Sequence, residues 1–576
     1  MAETGESRAS VAEKKAKDLP LGDPPFREII QGNFLYADKT EYIHRLTEGP
    51  KLLFLSRPRR FGKTLLIDTL EELFLGNREL FEGLWIDTRG GYAFERYPVL
   101  RFNMAYAEIY VPNDLSVKIK RDLNRAAEAM NVKISGNSYD DMLQELLEGL
   151  ARQHGVGTVI LIDEYDAPVT RHIADRKLSL GNRAILHDFY AAIKKFRSFV
   201  RFALVTGITR FAMTSLDSGP NSFTDISLMP EFAGVCGFSV SDLDSLFSGR
   251  FEETLRKLKQ NGEIHQNADE TELKAKILDW YDGYNWLGDE HVLNPYSILN
   301  FFNAKTFDEF WTSSGQPSHL TALVRKKPLK FFQPKLDSYT TRQIGKSELG
   351  KLAPVPVLFH SGYLTIDRQV LKEVSRKGQK INVKAFTFTT PNMEVDLNYQ
   401  TSFFKLAFDL DDDDFDGFAD QFPNALLKED SKETARLLHD LLAAVTYFQK
   451  ESSEKRFHSM LHMAFLASGL EILSEVPTGD GRSDMVVLLD DKVRVVIELK
   501  YLRVDGDSDK DDDARAAKEL VTALDEAENQ ILIEDYIAPH RAAGCHVICL
   551  ALAIRGKDEV AARFFDPEKT ERPKDS

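Results

Sequence analysis

Gly62-Lys63-Thr64 and Asp163-Glu164 are residues suited to holding a triphosphate. The first three close the stretch "FLSRPRRFGKTLLIDTL", in which an apolar strand-like run is followed by helical spacing. A glycine there lets backbone N–H groups approach a phosphate, the lysine neutralises the outer phosphates, and the threonine hydroxyl suits magnesium. The usual loop reads G-x-x-x-x-G-K-[ST], and here Arg57 stands where the first glycine belongs. Pro58 with Arg59 and Arg60 can build a different turn that adds positive charge beside the nucleotide. The second run, "TVILIDEYDAPV", ends in Asp163, placed to hold the magnesium shell, and Glu164, placed to orient or deprotonate a water. A third run, "FALVTGITRF", delivers Thr206, Thr209 and Arg210 to its polar end, where Arg210 can act as sensor or finger. The implied ligand is ATP with Mg2+. The plainer alternatives are a basic helix start and an acidic turn, each without ligand.

A second constellation lies near the C-terminus. Asp484 enters one strand-like run and Glu498-Leu499-Lys500 ends the next. Residues two apart on a strand share a face, so Glu498 and Lys500 point together, and a neighbouring strand can bring Asp484 beside them. Two carboxylates with a lysine suit magnesium-assisted phosphodiester hydrolysis. A surface ion pair on an ordinary strand is the rival reading. His458 and His462, four apart on a helical pattern, have metal-ligand spacing but no third partner in view, and helix packing is the simpler account.

Elements that would position these groups follow from punctuation along the chain. The front half alternates buried strands with helices, which argues for a mostly parallel sheet, and "SVSDLDSLFSGRFEETLRKLK" and "ETELKAKILDWYDGY" then turn helical. We expect a tail over residues 1–20, a nucleotide domain over 21–236, a helical lid over 237–340, a mixed α/β connector over 341–450, an α/β domain over 451–560 and a tail over 561–576. The rear domain reads as a helix, three strands, a helix and a last strand, "GCHVICLALAI". Asp411–Asp414 and "DGDSDKDDDAR" (Asp505 to Arg515) read as flexible acidic insertions. "VRKKPLKFFQPK" (Val324 to Lys335) interleaves basic and aromatic residues as single-strand-binding surfaces do, although a solvated linker is the plainer reading.

Bulk properties bound the class. With 576 residues, the chain is too long for one core, and 43% hydrophobic content gives ample material for two or three. No run approaches the roughly 18 apolar residues of a membrane helix. Three cysteines in no metal or disulfide pattern fit an intracellular setting. A net charge of -16 opposes indiscriminate nucleic-acid binding but leaves room for a local basic groove.

"FREIIQGNFLYADKTEYIHRL", the loop stretch through "GNRELFEGLWI", "YPVLRFNM", "LIDEYDAPV" and "TGITRF" resemble the AAA-ATPase-like proteins that carry a C-terminal nuclease-like domain. In those proteins R-P-R-R-F-G-K-[ST] is the usual loop. The resemblance continues through "WYDGYNW", "LNPYSILNFF" and "SGYLTI". It implies a five-stranded parallel sheet with a helical lid, places "DKTEYI", with Asp38 and Lys39, near the nucleotide, and makes a homo-oligomer plausible because such ATPases complete sites with a neighbour's arginine. At the rear it matches the PD-(D/E)xK fold through Asp484…Glu498-x-Lys500, with Ser483 in the proline's place; Glu475 and Gln530 occupy supporting positions, Glu475 as a metal ligand. The implied activity is an ATPase coupled to a Mg2+-dependent nuclease acting on DNA. A nucleotide switch with an inactive nuclease fold, or an ATPase that remodels proteins, are the alternatives.

Overall fold

The computed structural model describes residues 17–105, 109–111, 113–210, 223–314, 318–326, 338–345, 353–376, 379–445, 454–477, 482–489, 492–504, 513–556, 559–567 and 569. Two compact units share the chain: Met1–His319 with Leu336–Val395, and Leu320–Lys335 with Asp396–Ser576. The stretch expected as one connector over 341–450 is thus divided between them. Most of the basic-aromatic run after Val324, the first residues of the expected N-terminal tail and the acidic run at 505–512 fall outside the described residues.

In the first unit, β1 (Leu52–Ser56), β2 (Val99–Asn103), β3 (Thr158–Asp163), β4 (Val200–Gly207) and β5 (Thr224–Asp225) form a sheet of order β2-β3-β4-β1-β5. Every pairing is parallel. The β1, β3 and β4 runs are apolar because the sheet is covered, and helices Asp114–Ala129, Tyr139–His154 and Arg176–Lys195 bury Leu123, Leu147 and Phe189 against Phe102 and Ile160. The parallel register brings the carboxyl ends of β1, β3 and β4 to one edge, where Ser56 lies beside Gly207 and Ile162 beside Val205. Ligands of open α/β sheets gather at that edge.

The helical region follows as expected, with helices Val240–Phe247, Phe251–Asn261, Glu270–Tyr281 and Pro295–Ala304 sharing a core of Leu243, Phe251, Leu273, Ile298 and Phe302. A smaller sheet of order β6-β8-β7 pairs β6 (Tyr339–Thr340), β7 (Thr365–Arg376) and β8 (Gln379–Thr389).

The second unit contains the sheet β13-β12-β11-β10-β9, made of β9 (Glu471–Pro477), β10 (Arg482–Leu488), β11 (Val493–Leu502), β12 (His546–Arg555) and β13 (Glu559–Phe565). Only β11 and β12 run parallel. Their crossover is the helix Asp513–Ile533, whose Ala523, Leu524 and Ala527 pack on Ala551 and Ala553.

Two sequence expectations need correction here. The tail expected from residue 561 begins later, because Glu559–Phe565 pairs antiparallel with β12; its uniformly half-buried side chains suit an edge and lack the apolar run of a core strand. Asp411–Asp414 is no flexible insertion, since Asp411 precedes the helix Asp412–Leu427, and acidic residues at a helix start are favoured by its positive dipole end.

Candidate functional site

Gly62 precedes the helix Lys63–Phe74 with φ of 85°, a left-handed conformation that glycine adopts without penalty. An added Cβ there would meet nothing within 4 Å, so the loop is open on that side. Lys63 is buried, and its Nζ donates to the carbonyls of Arg57 at 3.0 Å and Pro58 at 2.7 Å. Burial lowers the Lys63 pKa, opposed by the charges of Asp163 and Glu164. Thr64 Oγ1 donates to Asp163 Oδ2 at 2.7 Å, and Thr206 Oγ1 donates to Asp163 Oδ1 at 2.6 Å. Glu164 follows with φ of 49°, a left-handed strain for a non-glycine residue of the kind that clusters at working sites. Burial raises its pKa, with Lys63 pulling the other way. Lys63, Thr64, Asp163, Glu164 and Thr206 therefore converge.

The loop arginines divide. Arg57 is 1% exposed and does not present its charge to a ligand. Its Nη1 donates to the carbonyls of Ser56 and Ser227 at 2.9 and 2.8 Å, its Nη2 to that of Phe232 at 3.2 Å, and its guanidinium lies 4.4 Å from the Trp286 ring. This internal staple occupies the place of a turn-forming glycine. Arg60 is exposed, pairs with Asp23 and covers Tyr296. Arg59 lies over Trp311. Arg210 is not part of the Lys63–Asp163 cluster: it is ion-paired with Asp225.

Asp38 and Lys39, expected near the nucleotide by resemblance, have structural work. Asp38 accepts from the backbone N–H groups of Thr40 and Trp85 at 2.9 and 2.7 Å, and Lys39 pairs with Asp242 at 2.7 Å. Sequence reading passed over Asp166, which is buried and accepts from Thr209 N and Oγ1 at 2.7 and 2.6 Å, tying the ends of β3 and β4 together. Its signal was a second acid three residues after Asp163.

In the second unit, β10 and β11 pair antiparallel with Met485 beside Ile497, which sets Asp484 opposite Glu498. Asp484 Oδ2 accepts from Leu499 N at 3.0 Å. His458 Nε2 lies 2.8 Å from the Asp484 carbonyl, so His458 serves as a strut on the helix Glu454–Ala467. His462 is buried, and burial first and His458 second lower its pKa to about 4. Lys500 Nζ donates to Glu498 Oε1 at 3.1 Å and to Gln530 Oε1, while Gln530 Nε2 donates to Tyr536 Oη at 3.0 Å. Asp484, Glu498, Lys500 and Gln530 thus meet at one spot. Burial, then the neighbouring Asp484, raise the Glu498 pKa to about 7 against the pull of Lys500. Glu498 is 2% exposed, and its Oε2 is buried without a hydrogen-bond partner among the described residues. The flanking β9–β10 register, Ser483 to Val476 and Met485 to Ser474, puts Glu475 opposite Asp484 along the backbone. Its side chain is outside the described ones.

A sheet with a GKT loop and an acidic strand end, together with a second sheet carrying D…ExK, defines an ATPase-like protein with a nuclease-like domain. A family described as "Predicted AAA-ATPase" matches residues 20–217, and the PD-(D/E)XK nuclease superfamily matches residues 452–563. The chain is 30% identical over 496 residues to an uncharacterized protein in the vnfD 5' region of Azotobacter chroococcum mcd 1, covering 85% of this chain and 90% of that one. The chain belongs to the AAA-ATPase-like proteins with a C-terminal PD-(D/E)XK nuclease-superfamily domain. No helix among the described residues is long and apolar enough to cross a membrane.

Proposed function

We propose that this protein cleaves DNA at its rear site and that ATP, bound and hydrolysed at the front site, governs the cleavage, with Mg2+ serving both. The observation that carries the reading is the meeting of Asp484, Glu498 and Lys500 around a buried Glu498 oxygen that lacks a partner among the described residues. A buried carboxylate oxygen without a donor is costly in isolation and well matched to a cation. Asp484 and Glu498 would hold that cation. Mg2+ is a cation bound through one or two carboxylates plus substrate phosphates, a donor set that Asp484 and Glu498 can begin. When bound, the ion supplies Lewis acidity to the scissile phosphate and acidifies a water. Lys500, held by Glu498 and Gln530, keeps a further N–H to orient that water or a phosphate oxygen.

At the front site Lys63 would exchange its two loop carbonyls for outer phosphate oxygens, Thr64 and Asp163 would hold Mg2+, and Glu164 would position the attacking water. Glu164 suits that role through its burial-raised pKa beside Lys63.

The test is incubation of the purified protein with linear, circular and single-stranded DNA, with and without ATP and Mg2+, beside Lys63→Ala and Lys500→Ala. Cleavage should need Mg2+, vanish in Lys500→Ala and lose its ATP response in Lys63→Ala. Undiminished cleavage by Lys500→Ala would remove the rear site from the chemistry.

A further inference from the structure

Of the three loop arginines and Arg210 at the end of β4, all but one have partners among the described residues. Arg57 donates to backbone carbonyls, Arg60 pairs with Asp23, and Arg210 pairs with Asp225. Arg59 differs. Its Nε and Nη2 are buried and have no hydrogen-bond partner among the described residues. Its guanidinium sits 5.6 Å from the Trp311 ring centre, which offers a face and no acceptor. The strongest electrostatic neighbours are the phenols of Tyr363, Tyr284 and Tyr296 together with the like charge of Arg60. Burial accordingly lowers its pKa.

Two guanidinium nitrogens stripped of water beside an aromatic face and given no acceptor are disfavoured unless an anion completes them. The planar fork of a guanidinium matches phosphate oxygens bidentately. Arg59 stands in the same loop as Lys63, four residues before it, so the anion most readily supplied is the ligand of that loop. We infer that Arg59 takes an oxygen of the outermost phosphate on Nε and Nη2 and thereby lets the first unit tell a nucleoside triphosphate from a diphosphate. The inference rests on the proposed reading of the loop as a nucleotide site.

Trp311 is the built-in reporter. Besides lying under the guanidinium, its Nε1 donates to the Arg59 carbonyl at 3.1 Å, and its backbone N–H donates to the buried Glu394 carboxyl. Drawing the guanidinium onto a phosphate changes the charge over this indole.

The test is calorimetric titration of the full chain with a non-hydrolysable ATP analogue and with ADP, each with Mg2+, for the wild type, Arg59→Ala and Arg59→Met. The analogue should bind Arg59→Ala about 10- to 100-fold more weakly, the range of a charge-assisted hydrogen bond, with ADP binding changed by less than about twofold. Arg59→Met keeps an unbranched stem over Trp311 and carries the same expectation should the alanine variant fail to fold. Tryptophan fluorescence should respond to the analogue and not to ADP, and Trp311→Phe should abolish the response. Equal losses for both nucleotides, or no loss for either, would overturn the inference. A wild type that binds neither would overturn the underlying nucleotide reading, an outcome separable from the first because it precedes any comparison of variants.

Discussion

Thr64 and Thr206 hold the two oxygens of one carboxylate, donating to Asp163 Oδ2 and Oδ1 at 2.7 and 2.6 Å from the loop helix and from β4. Asp163 is 1% exposed, so losing the Thr64 hydroxyl leaves buried Oδ2 without its donor, and losing that of Thr206 leaves Oδ1 with the Glu164 backbone N–H alone, at 3.0 Å. Thr206→Val keeps the shape and removes the donor. It should cost about 1–2 kcal/mol in denaturant unfolding. It should also weaken Mg2+–ATP binding by about tenfold, as loss of an orienting partner does, measured by calorimetry.

Restoring the commonplace glycine of such loops should harm this protein. Arg57→Gly removes a guanidinium that four carbonyls and the Trp286 ring hold in place, and it opens a void. Stability should fall by about 3 kcal/mol or more, visible as a lowered melting temperature, with no gain in nucleotide affinity. Arg57→Lys should recover only part, since an ammonium lacks the fork.

Cleavage should depend on pH through Glu498. Its pKa is raised to about 7, so below that value the carboxyl is protonated and a poor cation ligand. Cleavage at subsaturating Mg2+ should therefore rise with pH through about 7, and the midpoint should move to lower pH as Mg2+ is increased, because binding favours the ionised form. A rate independent of pH between 6 and 8 would contradict this assignment.

Glu394 offers a stability prediction of opposite practical use. Buried beside Ser297, which donates to it at 2.7 Å, it has its pKa raised by burial from 4.5 to about 8. The folded state thus holds a proton that the unfolded state releases, and this contribution is complete below pH 4.5 and lost as pH climbs through about 8. Glu394→Gln, which cannot ionise, should gain on the wild type by about 1–3 kcal/mol between pH 5 and pH 9. Melting curves across that range would read it.

Much of the fold was legible because it rests on local signals. The apolar runs at Leu52, Val159 and Val495 can only be covered strands, and Gly62-Lys63-Thr64 sits at a strand-to-helix turn wherever it works. Asp484, Glu498 and Lys500 were readable from strand periodicity plus one antiparallel neighbour. The fates of the arginines were not. Arg57 is buried by carbonyls from Ser227 and Phe232, and Arg59 lies over Trp311, contributed by segments far along the chain. No pattern near residue 57 announces them. β13 was hidden for a different reason: an edge strand with mixed polarity lacks both the apolar run and the alternation that mark a core strand.

The grip of Lys63 on the carbonyls of Arg57 and Pro58 means that the cradle is already set before its guest arrives. Occupancy then swaps one set of oxygens for another, with little chain to organise.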